Sequence, residues 1–87
     1  MARFLAKVFV TLKPAVNDPQ GVTIQNGLHS MGYESVQQVR MGKYMEVQVE
    51  EPDKAAAQAR IDEMCRKLLA NTVIEDYRFD LEEQRDT

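Results

Sequence analysis

The sequence predicts an α+β fold: a two-layer sandwich of βαββαβ order, with an antiparallel four-stranded sheet and two helices on one face. Three observations carry this. Residues 3–12 alternate strictly, with Phe4, Ala6, Val8, Val10 and Leu12 on one side and Leu5, Lys7, Phe9 and Thr11 on the other. Two helix-start signals, Asn17-Asp18-Pro19 and Glu51-Pro52-Asp53, each follow a strand pattern. The alternation then returns in residues 44–50 and 73–81.

Lys13-Pro14 closes the first strand. Asp18 is placed to cap a helix whose first residue is Pro19, preset at helical φ, and Gly32 supplies a left-handed stop after Met31. At about 100° per residue, Gly21, Ile24, Gly27, Leu28 and Met31 form an inward stripe, leaving Val22, Gln25, Asn26, His29 and Ser30 on other faces. This helix lies in an uncharged run from Pro19 to Tyr33, although 29% of the chain is charged. A neutral, amide-rich outer face suits cover by another chain.

Residues 36–41 read as a short second strand, Gly42-Lys43 as a tight reversal, and residues 44–50 as a third strand with Met45, Val47 and Val49 facing in. From Asp53 a second helix repeats Ala57, Ile61, Met64, Cys65 and Leu68 at helical spacing, and Asn71 is a suitable left-handed exit. In residues 73–81, Val73, Tyr77, Phe79 and Leu81 share a face. Residues 1–82 form a single domain on this reading, with 83–87 as a frayed tail.

The 87 residues make one small domain near the marginal end for standing alone, so help from self-association is expected. The uncovered sheet face carries Leu5, Phe9, Tyr44 and Ile74 among Lys7, Thr11 and Arg78, and a second copy would cover it. No apolar run approaches the ~20 residues of a membrane span and no secretory segment opens the chain, which points to the cytoplasm and to no membrane partner. Its single cysteine, Cys65, supplies neither an internal disulfide nor a metal site, and its apolar stripe marks it as a buried thiol rather than a nucleophile. Net charge of -3 argues against nucleic acid as a partner, although Phe9 and Tyr44 could stack bases. His29 has no acid at relay spacing and reads as a surface or interface residue. Gly42-Lys43 lacks the rest of a phosphate loop, and the acidic pairs Glu50-Glu51, Asp62-Glu63, Glu75-Asp76 and Glu82-Glu83 read as solvated faces. These residues alone leave two readings open: an assembly subunit, or a ferredoxin-like small-molecule regulatory or oligomerisation module.

Ordered blocks along the chain sharpen the choice. Residues 7–13 (KVFVTLK), Asn17-Asp18-Pro19-Gln20-Gly21, residues 28–33, Val39-Arg40-Met41-Gly42-Lys43-Tyr44, Met64-Cys65 with Leu68-Leu69-Ala70-Asn71, and residues 73–77 (VIEDY) closely resemble the PurS family. That family is the small subunit of multi-subunit phosphoribosylformylglycinamidine (FGAM) synthase. Thr72 and Gly27 depart from its pattern, where proline and a larger residue are expected. The resemblance implies a non-catalytic subunit of an ATP- and glutamine-dependent ligase complex, forming dimers or tetramers and bridging a large synthetase subunit (PurL) and a glutaminase (PurQ). It implies no cofactor on this chain, with ATP and Mg on the large subunit. Candidate contacts to those subunits are Gln25, Asn26 and His29 of the neutral helix and Arg40, Lys43 and Tyr44 around the reversal. Leu5, Phe9 and Ile74 are the candidates for self-association.

Overall fold

The computed structural model describes residues 1–84. Strand β1 (Ala2–Leu12) lies at the centre of an antiparallel sheet of order β2-β1-β3, between β2 (Gly42–Glu51) and β3 (Glu75–Gln84). Phe4, Ala6, Val8 and Val10 are buried on one face of β1, as the alternation predicts. Opposite them in register stand Val49, Val47 and Met45 of β2 and Leu81, Phe79 and Tyr77 of β3. Helix α2 (Lys54–Met64), capped by Asp53 accepting from the Ala56 amide at 2.8 Å, lays Ala57 and Ile61 onto this face. The order of elements is thus α+β, with two helices and an antiparallel sheet.

Five expectations are corrected. The sheet has three strands among the described residues, because residues 36–41 take no regular secondary structure and join no ladder. Gly42-Lys43 is no reversal: both residues already belong to β2, paired with Thr11 and Val10. Helix α1 (Pro19–Ser30) does not share the sheet face with α2; only its Gly21 is buried, and none of its side chains enters the core cluster. Ile24 and Met31, expected inward, are 41% and 73% exposed, and Leu28 is half-buried. The strand expected from Val73 starts at Glu75, with Val73 and Ile74 in the preceding turn.

Past α2 the chain makes one π-helical turn, Cys65–Leu69, closed by the Ala70 amide donating to the Cys65 carbonyl at 3.0 Å. Cys65 is fully buried four residues after Ile61, as the helical stripe predicts, while the π turn that begins there leaves Leu68 on the surface, against that stripe. Asn71 exits without a left-handed backbone; its side chain instead accepts from the Val73 amide at 3.2 Å. The last strand runs to Gln84, past the expected domain end, and the rest of the expected frayed tail, 85–87, lies outside the described residues.

The resulting shape is long and thin, 52 × 33 × 14 Å, with a radius of gyration of 16.9 Å. A compact domain of this length would measure about 12 Å. The excess follows from α1 and residues 36–41, which stand off the sheet.

Candidate functional site

The junction between the β1–α1 loop and residues 36–41 concentrates the polar side chains that carry structural work. Asp18 is 4% exposed. Its carboxylate accepts from the Gly21 amide at 3.0 Å, capping α1, and from the Met41 amide at 2.6 Å, fastening the chain just before β2. The Met41 bond first, then the Gly21 bond, hold this carboxyl below the usual aspartate range, with the Arg40 charge assisting. Gly21 is required here because a Cβ would sit 2.1 Å from the Val39 carbonyl oxygen. Arg40 donates to the Lys13 carbonyl at 2.9 Å and the Val16 carbonyl at 3.0 Å, and His29 donates through Nε2 to the Val36 carbonyl at 2.7 Å. Together these bonds tie residues 36–41 to α1 and to the loop before it rather than to the sheet.

The six residues expected to contact other subunits therefore divide. His29 and Arg40 are half-buried and engaged within their own chain. Asn26 is exposed on α1 and Gln25 half-buried. Lys43 is exposed and ion-paired with Glu75 at 3.4 Å, while the Asn71 amide, more than Lys43, holds the Glu75 carboxyl below its ordinary range. Tyr44 is 50% exposed, its hydroxyl donating to Glu46 at 2.8 Å.

The three residues expected to serve self-association do not all share one face. Leu5 and Phe9 do lie on the outer face of β1, but Ile74 sits in the turn before β3. Nor is that face an apolar patch: Arg78 lies 4.0 Å above the Phe9 ring, Tyr44 flanks it at 5.1 Å, and Lys7 pairs with Glu82 at 3.2 Å. Rows of Glu46, Gln48 and Glu50 on one side and Asp76, Asp80 and Glu82 on the other complete it.

A cleft of ≈ 220 Å³ opens at the junction, lined by Leu12, Asp18, Gln20, Met41, Lys43 and Glu75. A shallower groove of ≈ 470 Å³ adjoins it along Pro19, Gln20, Thr23, Ile24 and Met41, so volume alone does not exclude a small ligand, for which about 300–1,000 Å³ is usual. Cys65 is fully buried, with its thiol pushed up by burial, which makes it a poor nucleophile. The arrangement suits holding and presenting a surface more than bond chemistry. The clasp between Asp18 and Met41 was missed in the sequence because its partners lie 23 residues apart; only the capping half of Asp18's role has a local signal.

A family model described as PurS, phosphoribosylformylglycinamidine (FGAM) synthase, matches residues 5–83. The chain belongs to the PurS family. Its PurS relative from Bacillus subtilis, phosphoribosylformylglycinamidine synthase subunit PurS, is 55% identical over 80 residues, spanning 92% of this chain and 94% of the relative. The structure of B. subtilis PurS in a C2 crystal form superposes with a TM-score of 0.82 over 92% of this chain and 99% of that one. A chain of the structure of PurLQS from Thermotoga maritima, 31% identical, gives 0.83 over 97% and 100%. The PurS match thus takes in both helices, β2, most of β1 and β3 and the whole Asp18 junction.

Proposed function

We propose that this chain is the non-catalytic small subunit of FGAM synthase in purine biosynthesis. It joins the large synthetase subunit, PurL, to the glutaminase, PurQ, and supports ammonia passage between them. The complex converts formylglycinamide ribonucleotide to the amidine at the expense of ATP and glutamine, with ATP and Mg held by the large subunit in the cytoplasm. The observation that carries this reading is the end-to-end correspondence with a chain of Thermotoga PurLQS.

In this role Gln25, Asn26, Lys43 and Tyr44 present contact surface to another chain. His29 and Arg40 act behind them, by fixing residues 36–41 against α1. Leu5 and Phe9 sit on a mixed charged and aromatic face that offers a further surface for assembly. Co-expression with the PurL and PurQ chains of the same genome, followed by mass measurement of the purified complex, tests the proposal. The three chains are expected to co-migrate and to catalyse glutamine-dependent amidine formation, while the purified chain alone shows neither glutaminase nor synthetase turnover. Turnover by the chain alone, or its failure to join the other two in the presence of ATP, Mg and glutamine, overturns the reading.

A further inference from the structure

Asn26 and Gly27 stand side by side within α1. Of the asparagines in the chain, Asn17, Asn26 and Asn71, only Asn26 precedes a glycine. The pairing matters because an asparagine side-chain amide and the next backbone nitrogen close into a cyclic imide, and a glycine there has no Cβ to obstruct the approach. Asparagine counts among the thermolabile residues. Two local conditions favour closure here. Asn26 is exposed, and among the described residues no hydrogen bond holds its side chain. A Cβ built on Gly27 meets nothing within 4 Å, so the space around that residue is open.

The opposing condition is the helix. Helical backbone turns the Gly27 nitrogen away from the Asn26 side-chain carbon and engages its hydrogen in the ladder, so closure waits for α1 to open. What holds α1 decides how often that happens. The helix is 12 residues long, and helices below ~12–15 residues are marginal without packing. Only Gly21 is buried, and none of its side chains joins the core cluster. Asp18 fastens one end to the Gly21 amide and His29 fastens the other to the Val36 carbonyl. Between them Gly27 weakens the helix interior relative to alanine. Segments held by so few buried contacts open locally at low free energy.

We infer that Asn26 is a modification site of the free chain, deamidating spontaneously through Gly27. The Gly27 nitrogen, its proton lost to solvent base, bonds to the Asn26 side-chain carbonyl carbon. The bond from that carbon to Nδ2 breaks, and Nδ2 leaves as ammonia with a proton from water. Water then opens the imide at either carbonyl to give aspartate or isoaspartate, so the sum is water consumed and ammonia released. Either product places a carboxylate in the run from Pro19 to Tyr33, which otherwise has no charge. Isoaspartate also adds a methylene to the main chain just before His29, which ends α1 early and breaks the bond to Val36. The pair is thus a clock that marks chains whose α1 has been free to open.

The inference concerns the chain itself and is independent of its place in a synthase. The purified full chain, incubated in mildly alkaline buffer and then digested, is expected to show the mass gain of an amide become acid in the peptide carrying Asn26. Isoaspartate should be detected in that peptide by enzymatic methylation, while Asn17 and Asn71 keep their amides. The same chain unfolded in guanidinium sets the reference rate. Gly27→Ala adds a Cβ where there is room for it and steadies the helix, so it should fold as wild type and slow the conversion by about tenfold or more. An Asn26 amide that survives in the folded chain no less well than those of Asn17 and Asn71, while the unfolded chain converts, overturns the inference. Conversion of Gly27→Ala at the wild-type rate overturns it equally.

Discussion

Asp18 does two jobs with one carboxylate: it ends the orphan amides of α1 and it pins Met41. Asp18→Ala removes the cap and strands a second amide, and is expected to lower the melting temperature by about 5–10 °C, measured by circular dichroism. Because its folded pKa lies below the ordinary 3.8, its stabilisation is present above that value and disappears as pH falls through the lowered one. Wild-type stability should therefore decline in acid more steeply than that of Asp18→Ala. Tyr77 offers a second test. Its hydroxyl donates to Asp62 at 2.6 Å, and that bond first, with Arg66 second, holds the Asp62 carboxyl down. Tyr77→Phe should raise the Asp62 pKa toward its ordinary value, seen by NMR titration, and cost about 1 kcal/mol in urea unfolding.

Two glycines of the α1 region do different work at the scale of elements. Gly21 gives up its side chain so that the Val39 carbonyl can approach α1, whereas Gly32 is needed for its φ of +96° and has open space around it. Gly21→Ala should loosen residues 36–41 and cost about 1–3 kcal/mol through forced displacement, despite alanine's better helix propensity. Gly32→Ala should cost about 1–2 kcal/mol from backbone strain while leaving that segment in place. Hydrogen exchange at Met41 separates the two, rising in the first variant only. Most elements were legible because each rests on a local signal: the β1 alternation, the Asp18 and Asp53 caps, the Gly32 stop. The failures share a cause. Residues 36–41 do carry a strand's pattern, but pairing is a property of the whole molecule, and nothing near Gly42 announces that the chain runs on. The stripe of α1 is likewise a true apolar stripe, yet its Ile24 and Met31 stay exposed. Leu68 was misplaced because a π turn has no periodic signature and shifts every later residue around the axis.

For the whole molecule, thinness is the governing property: at 14 Å the shortest dimension holds little more than one sheet and one helix layer. Such a body buries less than its length allows. Asn26→Glu places a charge on exposed α1 without touching the core, so secondary structure and the Asp18 clasp should survive. If α1 is covered in an assembly, the unpaired charge should weaken association by about tenfold or more, read by sedimentation. Association equal to wild type would remove α1 from the interface. Gln25, Asn26 and His29 were legible only as a neutral helix face and Arg40, Lys43 and Tyr44 only through an expected reversal; that His29 and Arg40 are spent inside the chain depends on carbonyls distant in sequence.

The central place of β1 carries a consequence for synthesis. It is the first strand to leave the ribosome, yet both neighbours come later, β2 ending at Glu51 and β3 at Gln84. At about 5–20 residues per second, one edge of β1 waits roughly 4–15 seconds for β3. During that interval Val8 and Val10 can pack only against β2 and α2, so the core stays open along the β3 side of β1 until Tyr77, Phe79 and Leu81 arrive.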